Sequence, residues 1–173
     1  ARTLLPGTFG LRPSLLSSSR SRIADVILHE ISSRKPDFGS SSEDVILLLE
    51  PSFFGGRFNV GRALTAMSQN DIDFCLGGEA VPKKYHADKQ IFTEEEYSVK
   101  KVNSDNINRQ ELGNSWIRSG EFYLFRAENI TKYGQIMRGR GLVLETQGAY
   151  VNIDEFPDLE LAKRITPEEW KWS

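Results

Sequence analysis

The chain has 173 residues, 39% hydrophobic and 27% charged, which suits one domain with a single hydrophobic core. A formal net charge of −2 supplies no basic field, so nucleic acid is excluded as a general partner. No apolar run approaches the roughly 20 residues of a membrane span.

In chain order, the opening Ala1-Arg-Thr-Leu-Leu5 holds no apolar stretch of signal-peptide length. It starts on Ala rather than Met, and the expectation is that the chain begins partway through a larger protein. Ser17 to Ser21 offer caps for a helix over Ile23–Ile31, with Ile23, Val26, Ile27 and Ile31 on one face. Pro36 and Gly39-Ser-Ser-Ser42 mark a loop. Asp44–Leu49 is a continuous apolar run, expected as a strand buried on both faces of a parallel sheet. Val60–Met67 reads as a helix, with Val60, Leu64 and Met67 on one stripe, and Ile72–Leu76 as the next buried strand. The lone Cys75 lies in that run and reads as a buried thiol. One cysteine makes no internal disulfide, in keeping with a cytoplasmic location. The β–α–β order argues for a doubly wound α/β sheet with right-handed crossovers.

From Glu79 to about Gly120 the pattern turns polar, with Tyr97–Val102 alternating as a half-covered strand does. Residues 80–120 are expected to form a strand-rich arm that pairs with a second subunit. Strands then resume at Glu121–Phe125, Leu142–Leu144 and Tyr150–Ile153. Pro157 opens a closing helix bearing Leu161, Ala162 and Ile165. Thr166-Pro-Glu-Glu169 has capping-box spacing for a last turn.

Three pieces carry the chemistry: Val81-Pro-Lys-Lys-Tyr-His-Ala-Asp-Lys89, Arg109-Gln110 and Tyr150-Val-Asn-Ile-Asp154. Together they supply cations, an aromatic ring and a carboxylate, the groups an enzyme handling an acidic sugar and a nucleotide needs. His86 reads as a surface-turn residue and His29 as a helix-flank residue. Two histidines and one cysteine argue against a His/Cys zinc site.

Five segments in order resemble the CMP-sialate synthetases (acylneuraminate cytidylyltransferases). They are Leu11-Arg12-Pro13 with its Ser-rich sequel, Leu47-Leu-Leu-Glu-Pro-Ser52, His86-Ala-Asp-Lys89, Arg109-Gln110 with Ser119-Gly-Glu-Phe-Tyr123, and Tyr150–Asp154 with Asp158-Leu-Glu-Leu-Ala162. The corresponding family segments are Arg-Pro…Ser, Leu-Leu-Gln-Pro-Thr, His-Pro-x-Lys, Arg-Gln…Asn-Gly-x-x-Tyr and Asp-Ile-Asp…Asp-Leu-x-x-Ala. The resemblance runs from about Leu11 to Ile165.

It implies a Rossmann-like nucleotide-sugar transferase sheet with helices on both faces and a homodimer formed through the 80–120 arm. The implied activity is transfer of CMP from CTP to a nine- or eight-carbon keto-sugar acid, with Mg²⁺ as cofactor. Arg12, Glu50, Ser52, Lys89, Arg109, Gln110 and Tyr123 are the implied substrate-binding residues. Lys89 and Arg109 would hold the sugar carboxylate, Arg109 from a neighbouring subunit, and Tyr123 would lie against the sugar. Asp154 and Asn152 are the implied Mg²⁺ ligands, Asn152 standing where the family has a second Asp. An alternative role for Asp154 is to cap the helix opening at Pro157.

Departures from the family pattern are as informative. Glu50 replaces a Gln and sets a negative charge where an acidic sugar would approach, which opposes binding unless Glu50 is paired or protonated. Ser52-Phe-Phe-Gly-Gly-Arg57 replaces Thr-Ser-Pro-Leu-Arg, Ser19 a common Asp, Ile117 a frequent Arg, and Ser119 an Asn. The Gly/Arg/Lys-rich loop that holds the CTP phosphates has no counterpart in Ala1–Gly10. The expectation is that it has been lost or is encoded upstream. Arg138-Gly-Arg-Gly141 reads as a turn rather than a substitute. Two alternatives stand beside the enzyme: a noncatalytic relative serving as a binding or dimerisation module, and an unrelated α/β ligand-binding domain.

Overall fold

The computed structural model describes residues 12–18, 20–34, 43–50, 52–53, 57–93, 99–102, 108–146 and 150–165. The expected features at Ala1–Gly10, Ser19, Pro36, Gly39–Ser42 and Thr166–Glu169 lie outside them. In chain order the elements are α1 (Ile23–Arg34), β1 (Val45–Leu48), β2 (Ser52–Phe53), α2 (Arg57–Gln69), β3 (Phe74–Ala80), β4 (Ile91–Thr93), β5 (Val99–Val102), β6 (Trp116–Arg126), α3 (Glu128–Thr131), β7 (Gly141–Glu145), β8 (Val151–Asn152) and α4 (Phe156–Arg164).

The fold is mixed α/β. Its main sheet has the order β1-β6-β3-β7. β6 runs antiparallel to both β1 and β3, and β7 runs parallel to β3. The carboxyl ends of β1, β3 and β7 therefore share one edge with the amino-terminal half of β6. Two small antiparallel sheets, β2–β8 and β4–β5, complete the strands.

The core forms where α2 lies on the sheet. Ala63 and Met67 of α2 meet Ile72, Cys75, Phe122, Leu124 and Leu144. Phe125, of opposite parity in β6, is equally inaccessible at 0%. Burying each such ring contributes about 1.5–3 kcal/mol. Cys75 is buried as expected, and removal from water pushes its thiol up to about 11.

Several expectations need correction. The sheet is mixed, not parallel, because β6 lies between β1 and β3. β1 is consequently an edge strand, with Leu47 44% exposed, so its apolar run does not mark burial on both faces. β6 extends through Trp116–Arg126, beyond the expected Glu121–Phe125, because the polar Ser119-Gly120 step is a bend inside one strand, Gly120 holding φ +78°. On α2 the buried stripe is Asn59, Ala63 and Met67, while Leu64 is exposed. Ala162 is the residue buried from α4; Leu161 is exposed and Ile165 follows the helix as its C-cap. His86 is 8% exposed, not on the surface, and its Nδ1 accepts from the Asp88 N–H at 3.2 Å to cap a 3₁₀ turn over Ala87–Lys89.

Arg138–Gly141 is a turn leading into β7, at the amino edge of the sheet. The Arg140 N–H donates to Asp73 Oδ2 at 2.7 Å, and the Asp73 N–H donates to the Arg140 carbonyl at 2.8 Å. Gly139 sits at φ +86°, where a Cβ would collide with the Asp73 carboxylate. Gly139→Ala should destabilise the protein by ~1–3 kcal/mol in a denaturant titration. A change within about 0.5 kcal/mol, the range of neutral surface substitutions, would show that the turn is not so constrained.

Candidate functional site at the carboxyl edge

Just past β3 the chain makes a 3₁₀ turn over Lys83–Tyr85, and the 108–115 loop returns beside it before β6 begins. Between them lies a pocket of about 420 Å³ lined by Pro82, Lys83, Lys84, Lys89 and Arg109. Lys83 Nζ donates to the carbonyls of Leu112 and, at 2.6 Å, of Gly113. Lys84 stands over the Tyr85 ring at 4.5 Å. The Lys89 and Arg109 side chains make no hydrogen bond or ion pair among the described residues. Two uncommitted cations on one pocket are suited to a carboxylate or phosphate.

A second cluster hangs from the same edge. Glu50 follows β1, and Asn152 in β8 pairs with Ser52 in β2. Asn152 Nδ2 donates to Glu50 Oε2 at 3.3 Å and to Asp154 Oδ2 at 2.8 Å. Gly120 makes room for this: a Cβ there would strike Glu50 Oε2. Tyr123 is half-buried beside Glu50. Burial first, then the Glu50 carboxylate, raise its phenol above the ordinary range, while Arg118 opposes the shift. Glu50 thus accepts a hydrogen bond from a neutral amide and faces a phenol, neither of which neutralises its charge.

Asp154 does not cap α4. Glu155 and Asp158 form that capping box, Asp158 Oδ2 accepting the Glu155 N–H at 2.9 Å and the Asp154 N–H at 3.1 Å. Asp154's own carboxylate is left to face Asn152. Among the described residues, Asn152 Oδ1 is buried without a hydrogen-bond partner. Burial, partly offset by the nearby Ser52 hydroxyl, pushes the Tyr150 phenol well above its ordinary range.

Below this cluster is a polar layer that sequence reasoning missed. Glu121, 2% exposed, accepts from Asn59 Nδ2 at 3.2 and 3.3 Å. The same Nδ2 lies 3.0 Å from the Glu145 carbonyl. Ser119 Oγ accepts the Glu121 N–H at 3.2 Å and meets Thr146 Oγ1 at 2.8 Å. Desolvation raises the Glu121 carboxyl above its ordinary range, and the Thr146 and Asn59 hydrogen bonds oppose it.

Among the expected site residues, Lys89 and Arg109 border one pocket within a single chain. Glu50, Ser52, Tyr123, Asn152 and Asp154 belong to the second cluster. Gln110 is exposed beside Arg109 on its turn, and Arg12 is exposed ahead of a 3₁₀ turn at Ser14–Leu16. Lys83 and Lys84 had no assigned role; their position three and four residues past the end of β3 was the available signal. Glu121 gave none, since nothing in Gly-Glu-Phe marks an inward carboxyl. Compared with models of known families and with curated proteins, the chain matches none.

The Glu121 carboxyl yields a pH test. Because its folded pKa is raised, the folded state holds a proton that the unfolded state releases, so this group's contribution is fully present below the ordinary glutamate value and is lost as pH rises through the folded one. Relative to wild type, Glu121→Gln should therefore gain stability as pH rises from about 4 to about 7, measured by paired denaturant titrations. A difference independent of pH would contradict it.

Proposed function

We propose that the protein transfers CMP from CTP to a sialic-acid-like keto-sugar acid and releases pyrophosphate, on a sheet of the doubly wound Rossmann-like kind. The observation that carries this reading is the meeting of Lys89 and Arg109 on one pocket at the carboxyl edge, where α/β sheets hold ligands. In this reading the two cations fix the sugar carboxylate. Tyr123 lies against the sugar, with Ser52, Gln110 and Arg12 in the remaining substrate contacts. Glu50 accepts hydrogen bonds from sugar hydroxyls beside the one from the Asn152 amide. The bond from the anomeric oxygen to the α-phosphorus forms, the bond to pyrophosphate breaks with its electron pair leaving on pyrophosphate, and the hydroxyl proton passes to solvent water. Catalysis of such a transfer rests on positioning and charge neutralisation.

Mg²⁺ is the implied cofactor, and the residues fit it. Among the described residues no three His, Cys, Asp or Glu side chains group as metal ligands. Mg²⁺, however, takes one or two carboxylates, with phosphate oxygens and water supplying the rest. Asp154 and Glu50, both bound by Asn152 Nδ2, are such carboxylates, and turning the Asn152 amide over would add its Oδ1 as a further donor. When bound, the ion would neutralise charge on the triphosphate. A homodimer through the β4–β5 arm belongs to the same proposal. Its support is the apolar surface the arm leaves in water, Ile91 58% and Phe92 46% exposed.

Pyrophosphate release from CTP, Mg²⁺ and N-acetylneuraminate tests the proposal. Lys89→Ala and Arg109→Ala should each lower kcat/KM for the sugar acid by about 10–100-fold, the value of a charge-assisted hydrogen bond, with the KM for CTP unchanged. Unaltered turnover in both variants would remove the carboxylate assignment. Calorimetric binding without release would favour the noncatalytic binding module instead. Asn152→Asp adds a charge to the proposed ligand set and should lower the Mg²⁺ concentration for half-maximal activity about tenfold, since ligand charge tunes such affinities. An unchanged requirement would take Asn152 out of the metal site.

A further inference from the structure

Of the cations around the pocket, Lys83 is bound to the protein itself. Its ammonium holds the carbonyls of Leu112 and Gly113, and Leu112 is only 4% exposed. Immediately before them lies the turn carrying Arg109 and Gln110. That turn is closed by Asn108 and Glu111: the Glu111 N–H donates to the Asn108 carbonyl at 3.0 Å, and the Asn108 N–H donates to Glu111 Oε2 at 3.1 Å. Immediately after them, the Val81 N–H donates to the Ser115 carbonyl at 2.9 Å. The loop is therefore tied to the β3 side at two points, and Lys83 is the one nearer Arg109. Among the described residues, no other hydrogen bond joins Leu112 and Gly113 to the turn that leads to Lys89.

We propose that Lys83 is a positioning residue of the pocket, clamping the 108–113 loop so that Arg109 is held on the pocket that Lys89 also lines. The proposal rests on the reading of the pocket as the sugar-carboxylate site. An ammonium carries three donors. Two are taken up by backbone carbonyls, so Lys83 acts by fixing a loop, whereas Lys89 and Arg109 keep their donors for the anion. A fixed pair of cations binds a carboxylate more tightly than a mobile pair, because less side-chain and loop freedom is lost on binding.

The test uses N-acetylneuraminate binding by calorimetry, with amide hydrogen exchange as an independent readout. Lys83→Met keeps the stem and drops the ammonium. It should raise Kd about tenfold, and Lys83→Arg should restore it to within about threefold, as expected if donors to the carbonyls are what matters. Because Lys83 acts through Arg109, Lys83→Met combined with Arg109→Ala should bind no more weakly than Arg109→Ala alone. Losses that multiply would overturn the positioning role and mark Lys83 as an independent charge. Exchange at residues 111–114 should accelerate more than tenfold in Lys83→Met while that of β6 from residue 121 onward stays the same. Unchanged exchange overturns the clamp whether or not the acid binds. Faster exchange in a protein whose wild type does not bind N-acetylneuraminate supports the clamp and rejects the carboxylate reading of the pocket.

Discussion

The pairing of β6 with β3 is the constraint on which the rest of the arrangement depends. β6 runs antiparallel between β1 and β3, and its register against β3 shifts between Leu76 and Gly78. Gly77 and Gly78 allow this close approach: a Cβ on Gly77 would meet Ser119 Oγ at 2.7 Å and Glu121 Oε2 at 2.8 Å. The shift turns Ser119 and Glu121 inward and lets Gly120 give way to Glu50. The strand's first half, from Trp116, then runs out to the loop that carries Arg109. One strand thus ties the carboxylate cluster and the cationic pocket to the same edge.

The two groups have opposite electrostatic character, and each is internally economical. In the pocket, Lys83 is satisfied by carbonyls and Lys84 by a ring, while Lys89 and Arg109 make no hydrogen bond or ion pair among the described residues. In the cluster, one amide serves two carboxylates. Glu50 accepts one of these hydrogen bonds and keeps its charge beside the Tyr123 phenol. The buried Glu121 below carries no cationic partner in the contacts around it; desolvation rather than pairing governs its protonation.

Much of the element order was legible in the sequence because it is written in local periodicity. The α1 and α2 helices, the buried strand at Cys75 and the strand at Phe122–Phe125 follow from spacing of apolar residues. Topology was not legible. A continuous run such as Val45–Leu48 has the same composition at an edge as in the centre of a sheet, and an antiparallel insertion after a long excursion leaves no mark in either strand. The bend at Ser119-Gly120 hid the true length of β6, because a polar pair with glycine reads as a terminus. At the site, Lys89 and Arg109 were visible as ordered charges. The clamp by Lys83 was not, since its partners are backbone carbonyls that no sequence displays. Asp154 was ambiguous between cap and ligand until Glu155 and Asp158 proved to form the capping box.

If the proposed function holds, the cations and the carboxylate cluster serve one substrate. A crystal structure of the protein with N-acetylneuraminate would then show the sugar carboxylate between Lys89 and Arg109, with the ring directed toward Tyr123 and Glu50. Ordered sugar acid bound elsewhere, with Lys89 and Arg109 making no contact to it, would rule out a shared site.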